Sequence, residues 1–354
     1  MLNNILSHFG LNPPDYQIQA FGSGLINHTF KVSGKGEEYI LQQINSDVFK
    51  FPEYIANNLA LIQSYLNKLY PKYLFVGAIP SITGDFLVKS SPGKYYRLFP
   101  FVKGSQTINF ISTAKEAFEA ARQFGKFTYL LKDFDPLTLK YTLIDFHNLE
   151  LRFDQFKSAY KDADPVRLAK ASDEIKEAYN HINILQTYNQ IITNSEIPVR
   201  AMHHDTKISN VLFDNKKDGL CVIDLDTVMP GYFLSDVGDM MRTYLSPANE
   251  EETDFSKIHI REDIFNAIYN GYMSEMGGVL TEKEKQYFIY SGEFMIYMQA
   301  IRFLTDYLNN DIYYQPKYEG HNLNRAKNQF KLLNEFTMAE DQFRKLITKA
   351  EIYS

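Results

Sequence analysis

From Ala201 to Asp239 the chain reads AMHHDTKISNVLFDNKKDGLCVIDLDTVMPGYFLSDVGD. Within it Asp205 is followed five residues later by Asn210, with His203 two before and Lys207 two after the aspartate, and Asp224 closes an apolar run fourteen residues past Asn210. Phosphoryl transfer asks for this set: a carboxylate that orients the attacking hydroxyl and accepts its proton, and an amide oxygen with a second carboxylate that hold magnesium in hard ligands. In that assignment Asp205 is the base, and Asn210 and Asp224 are the metal ligands. Lys207 can reach over the same site and neutralise charge on the transferring γ-phosphoryl, a purely electrostatic role. The blander reading makes Asp205 and Asn210 turn formers and leaves Asp224 and Asp226 to mark a strand end. The joint spacing favours the chemical one.

The spacing of Asp205 and Asn210 is that of a kinase catalytic loop. A histidine just before such an aspartate is ordinarily a packed, hydrogen-bonded loop residue, so His203 is read as structural. His204 beside it lacks the further ligands at suitable spacing that zinc requires. Upstream, FGSGLINHTFKV places Gly22, Ser23 and Gly24 between two expected strands, where missing side chains let backbone amides approach phosphate oxygens. A third glycine and a following helix, which a dinucleotide fingerprint needs, are missing, as is the Walker pattern. In the order glycine loop, hinge, catalytic loop, metal aspartate, the glycines gain meaning as a cover over nucleotide phosphates, with Thr29 just beyond them. One part is absent: a protein kinase carries a lysine on its third strand, whereas EEYILQQIN presents Gln42 and Gln43. A pseudokinase reading therefore stays open.

These residues need a scaffold, and 354 residues suffice for two domains or one bilobal unit with a substantial core. With 37 Lys+Arg against 43 Asp+Glu, the balance argues against a nucleic-acid partner and for a small molecule. The single cysteine, Cys221, lies in an apolar run and is read as a small buried thiol, in keeping with a cytoplasmic protein. The start MLNNILSHFGLNPPDY lacks the features of a secretory signal and no segment runs 18 apolar residues, so neither export nor a membrane is expected. Residues 16–44 alternate apolar and polar positions and predict an antiparallel meander. From Pro52, the spacing of Ile55, Leu59, Ile62, Leu66 and Leu69 predicts one amphipathic helix. Strands resume around FLVKS and YYRLFPFV, and a lobe boundary is placed near residue 103, giving lobes 1–103 and 104–354. Beyond it, 112–131, 145–160, 167–193, 260–275, 282–309 and 322–350 look helical, while VLFD and LCVIDLD are short strands.

The sequence resembles the aminoglycoside phosphotransferase and choline kinase superfamily, and within it the N-acetylhexosamine 1-kinases. The resemblance rests on HHDTKISNVLFD, CVIDLDTVMPG, GSGLINHTF, YILQQIN, the FH and RF of IDFHNLELRFDQF, and RFLTDYLNNDIYY, and so spans nearly the whole chain. It implies an α+β bilobal kinase-like fold with a small antiparallel-sheet amino-terminal lobe and a larger, mostly helical carboxy-terminal lobe. It implies ATP and Mg2+ as cofactors, and Pro100, Phe101 and Val102 as the adenine hinge. The paired glutamines look normal for that family, which puts Gln42 among the nucleotide-side residues and weakens the pseudokinase reading. Arg302 and Tyr313 look like sugar-side residues. From chemistry alone Arg302 is either a surface charge or a fork for acceptor hydroxyls, and its apolar neighbours in FMIYMQAIRFL favour the buried role. Asp236 and Asp239 read as loop-anchoring and helix-capping carboxylates, with Arg242 as a partner for one of them. Two departures, Leu25 after the second glycine and Thr243 after the arginine, fall where the sugar could lie.

The expectation is an ATP-dependent kinase acting on the anomeric C1 hydroxyl of an N-acetylhexosamine, working as a monomer or weak homodimer. The alternatives are a kinase of another small alcohol, such as choline, an aminoglycoside, methylthioribose or homoserine, and a nucleotide-binding pseudokinase.

Overall fold

The computed structural model describes residues 2–22, 26–91 and 93–353. Its amino-terminal lobe is a five-stranded antiparallel sheet of β1 (Gln17–Ala20), β2 (His28–Gly34), β3 (Glu37–Ile44), β4 (Val88–Lys89) and β5 (Tyr95–Pro100), in the order β1-β2-β3-β5-β4. Side chains alternate between the faces of a strand, so the register decides what each face does. Leu41 lies opposite Leu98, and Gln43 opposite Tyr96. With Val32 these apolar residues pack against Ile5, Leu6 and Phe9, at and just after a helix Leu2–His8 that the periodicity did not predict. The opposite face carries Ile40, Gln42, Arg97 and Phe99 and lines a cleft.

The helix expected from Pro52 runs Pro52–Leu69 and buries Ile55, Leu59, Ile62 and Leu66 in the main core. Each such aliphatic side chain stabilises the fold by about 1.5–3 kcal/mol. Asn58 on the same helix is buried as well, donating to Lys140 O at 2.7 Å and Val228 O at 3.0 Å, which ties the helix to the carboxy-terminal lobe.

That lobe is mostly helical, as the fold class requires. Its long elements are Ala114–Leu130, Leu149–Asp162, Glu262–Met276, Phe288–Leu308 and His321–Tyr353. The stretch expected as helical over 167–193 holds three helices, Pro165–Lys170, Ser172–Asn180 and Ile182–Thr193, separated at Ala171 and His181. Four short strands frame the central loops. These are β6 (Arg200–Met202), paired with β9 (Met229–Gly231), and β7 (Val211–Phe213), paired with β8 (Gly219–Val222). Only β7 and β8 were anticipated.

A helix Phe233–Tyr244 is present that the periodicity did not predict. Gly238 does not break it. A Cβ there would stand 2.1 Å from Ser291 O, so the glycine lets this helix press directly on Phe288–Leu308. Cys221 is free and fully buried, and burial pushes its thiol up to about 12, which leaves it unreactive. No helix among the described residues is long and apolar enough to cross a membrane.

Candidate active site

The loop that follows β6 is held by the helix Phe233–Tyr244. Asp236, fully buried on its first turn, accepts the backbone N–H of His203 at 3.0 Å and of His204 at 2.7 Å. One turn on, Asp239 accepts Thr206 N at 2.9 Å and pairs with Arg242 at 3.0 Å. These are the loop-anchoring roles and the Arg242 pairing read from the sequence. Burial raises the Asp236 carboxyl to about 7 even though both backbone bonds pull it down.

The two histidines pack, as expected for His203. Its Nε2 donates to Ile223 O at 3.0 Å while its Nδ1 accepts Asp205 N at 3.3 Å, and its edge meets the Phe124 ring at 5.1 Å. His204 adopts φ +65, and its Nδ1 lies 3.1 Å from both Met202 O and Thr227 O. Burial lowers the pKa of both, to about 4 for His204, so both imidazoles are neutral at pH 7. A Cβ at Gly231 would sit 2.2 Å from His204 Nε2, so the glycine in β9 makes room for the ring.

Asp205 emerges from this platform. Asn210 Nδ2 donates to its carbonyl at 2.9 Å and its carboxylate at 3.1 Å, and Lys207 Nζ stands 3.1 Å from Oδ1. Burial works against the charge, but Lys207 and the Asn210 bond prevail and hold the carboxyl below its ordinary value. It is therefore ionised at neutral pH. Lys207 is raised above the ordinary lysine value, chiefly by Asp205, and its half-exposed side chain stays charged.

Asn210 is tied to the β8 end through Ile223 N, which donates to its carbonyl at 2.8 Å, and this brings Asp224 to the same cleft. Asp224 sits at φ +59, a left-handed conformation that aspartate tolerates better than most residues. The surrounding protein, then Asp226 and Asp205, push its carboxyl up to about 7, against the pull of Arg97 and Lys207. An ionisable carboxylate without enough nearby positive charge, beside an amide whose NH2 is spent on Asp205, suits a divalent cation with hard oxygen ligands. Among the described residues no group of three or more His, Cys, Asp or Glu is placed to hold a metal. Magnesium typically takes one or two protein ligands and completes its shell with phosphate and water.

The cleft has an empty volume of about 1030 Å³, which includes its open mouth. Thr29, Gln42, Pro100, Phe101, Val102, Asn210 and Asp224 all line it. Phe101 N donates to Glu38 O at 3.1 Å, and Gln106 exchanges backbone hydrogen bonds with Phe213 at 2.9 Å, so the connection between lobes is pinned at both ends. Gly22 has φ +77 beside Phe21, which lines the cleft, while Ser23, Gly24 and Leu25 lie outside the described residues.

Sequence reasoning missed Arg97 and Asp226. Thr29, Gln42 and Arg97 are consecutive register partners across β2, β3 and β5. Gln42 Nε2 donates to Thr29 Oγ1 at 3.2 Å, and its Oε1 accepts from Arg97 Nε at 3.2 Å and Nη2 at 2.9 Å. The same Nη2 lies 2.5 Å from Asp226 Oδ1, a close ion pair rather than an aligned hydrogen bond, and Asn27 donates to Asp226 Oδ2 at 2.8 Å.

A second cavity, of about 700 Å³, holds Arg302 and Tyr313 with Arg152, Thr305, Asn309 and Tyr314. Arg302 lies beside the rings of Phe146 and Tyr314, at 5.7 and 5.6 Å, and donates to Gln299 at 3.2 Å. The one carboxylate in the lining, Asp306, is occupied by Tyr313 N, Tyr314 N and Asn322 Nδ2 at 2.7, 2.9 and 3.0 Å. Arg152 was also missed as a site residue, although its motif was noted. Burial and then Arg302 lower its pKa. Thr243, expected to face an acceptor, lines neither cavity. It donates to Asp239 O at 2.7 Å, because the helix points it along its own backbone.

Comparison with known proteins gives the family and the fold. The phosphotransferase enzyme family (APH) matches residues 17–255, and the chain belongs to that family. A microcompartment-associated aminopropanol kinase superposes with a TM-score of 0.65 at 12% identity, covering 97% of each chain. An aminoglycoside phosphotransferase from Alicyclobacillus acidocaldarius gives 0.63 at 13%, covering 96% of this chain and 95% of that one. A choline kinase from Cryptosporidium parvum gives 0.56 at 15%, covering 96% of each. At these identities the structures share the fold.

Proposed function

We propose that the protein transfers the γ-phosphoryl of ATP to the anomeric C1 hydroxyl of an N-acetylhexosamine. The observation that carries phosphoryl transfer is Asp205, held ionised by Lys207 and Asn210 on a loop fastened by Asp236, beside the cleft that Asn210 and Asp224 line. Asp205 orients the acceptor hydroxyl and takes its proton as the bond to phosphorus forms. Lys207 neutralises charge on the moving phosphoryl. Asn210 and Asp224 hold Mg2+, which when bound screens the phosphate oxygens. Pro100, Phe101 and Val102 receive the adenine, and the lobes meet at residue 103, so 1–103 carries the nucleotide side and 104–354 the catalytic loop and acceptor side.

The superposed structures are named as kinases or phosphotransferases of amino alcohols and aminoglycosides, which supports a small hydroxyl compound as acceptor here. The second cavity narrows the class. Arg152 and Arg302 line it, and its carboxylate, Asp306, is spent on backbone and amide donors. Cationic acceptors such as choline would meet like charge there, whereas hydroxyl and acetamido oxygens would meet donors. Resemblance to N-acetylhexosamine 1-kinases supplies the identity of the sugar. A coupled ADP-release assay with Mg·ATP over N-acetylhexosamines, other free sugars, choline, an aminoglycoside and homoserine tests this. The expected product is an N-acetylhexosamine 1-phosphate. Turnover confined to another alcohol overturns the sugar assignment, and ATP binding without turnover overturns the kinase.

A further inference from the structure

The amino-terminal sheet offers no lysine on β3 to meet nucleotide phosphates, but it does offer a cation one strand away. Arg97 on β5 stands opposite Gln42 in register, on the cleft face, and is 2% exposed. Its Nε and Nη2 are committed to Gln42 and Asp226. Its Nη1 is buried and has no hydrogen-bond partner. A buried charged donor left unpaired is costly, and beside a cleft a bound ligand is one group that can complete it. The cleft that Arg97 lines is also lined by Thr29, Asn210 and Asp224, so the guanidinium borders the space assigned to the nucleotide.

We propose that Arg97 is the phosphate-contacting cation of this protein, doing from β5 what a third-strand lysine does in protein kinases. Its Nη1 binds a nucleotide phosphate oxygen, and Gln42 and Asp226 are positioning residues that hold the guanidinium. Gln42 is then the residue its position demands. A neutral acceptor on β3 grips two donors of the arginine, whereas a lysine there would repel it at hydrogen-bond distance. Asp226 neutralises the fork from the other lobe and is itself held by Asn27, just past the glycine segment. The absent lysine thus ceases to be a mark of a pseudokinase.

The inference rests on the cleft being the nucleotide site, and the test separates the two. Isothermal titration with ADP and with adenosine is carried out in EDTA, so that metal binding contributes nothing, on the wild type, on Arg97→Gln/Asp226→Asn, which removes both members of the buried pair, and on Arg97→Lys. Loss of one charge-assisted phosphate bond should weaken ADP by about ten- to a hundredfold in the double variant and leave adenosine within about twofold. Equal weakening of ADP and adenosine, or no weakening of ADP, overturns the role of Arg97 while leaving the cleft as the nucleotide site. A wild type that binds neither ligand overturns the cleft reading and this one with it. If the double variant does not fold, Arg97→Lys decides. It keeps the charge beside Asp226 but cannot serve Gln42, Asp226 and a phosphate together, so ADP alone should weaken, and undiminished ADP binding contradicts the proposal.

Discussion

Asn210 gives both hydrogens of its side-chain amide to Asp205, one to the backbone carbonyl at 2.9 Å and one to the carboxylate at 3.1 Å. The residue proposed to meet the metal is therefore also the residue that holds the base, and the two functions fail together. Asn210→Ala should lower kcat and raise the magnesium concentration for half-maximal rate, each by about tenfold or more. A variant that loses rate at unchanged magnesium dependence would show Asn210 to be a positioning residue only.

The platform beneath Asp205 makes its own prediction. Asp236→Asn keeps the size but turns an NH2 toward one of the two backbone donors of His203 and His204, leaving that donor buried and unmatched. Stability should fall by about 1–3 kcal/mol in urea denaturation, with a larger proportional loss of turnover because the loop carries Asp205. An unchanged urea midpoint would mean that the loop is held by its other bonds, including Thr227 Oγ1 to His203 O at 2.7 Å.

Much of this was legible in the chain because it is local. The strand alternation through 16–44, the helical spacing from Pro52, and the intervals among Asp205, Lys207 and Asn210 are each patterns within one short stretch of sequence. What escaped depends on contacts between distant segments. Arg97 in YYRLFPFV reads as one polar position of a strand, and only the register with Gln42, 55 residues away, puts it on the cleft face. The helix through SDVGD carries a glycine at its centre, and only the backbone of Ser291, far along the chain, explains it. β6 and β9 are three residues each and, unlike VLFD and LCVIDLD, carry no β-branched residue.

The acceptor side is tested by Arg302→Gln. The guanidinium is replaced by an uncharged amide while Arg152 remains in the cavity. The KM for the sugar should rise by about tenfold or more, with the KM for ATP within about twofold of wild type. Equal rises in both would place Arg302 in the support of the whole lobe rather than at the acceptor.

Stability should also respond to pH through a carboxyl pair remote from the cleft. Glu293 on Phe288–Leu308 is hydrogen-bonded to Glu340 on His321–Tyr353, and burial and then that neighbour push Glu293 up to about 8, with Arg344 pulling the other way. Its folded value lies above the unfolded 4.5, so its contribution is full below about pH 4.5 and is lost as pH rises toward 8. Glu293→Gln keeps a hydrogen-bonding group that does not titrate. The difference in urea midpoint between variant and wild type should shift in favour of the variant from pH 5 to pH 8, and a difference that stays constant would show that the pair does not share a proton.

The central claim is that an ionised Asp205 takes the proton of the acceptor hydroxyl, and single-turnover phosphoryl transfer by Asp205→Asn tests it most directly. Asparagine keeps the shape of the side chain and cannot accept that proton. The account predicts a rate at least about a hundredfold below wild type with ADP affinity and unfolding midpoint unchanged. A folded Asp205→Asn protein that transfers phosphate at the wild-type rate would contradict it.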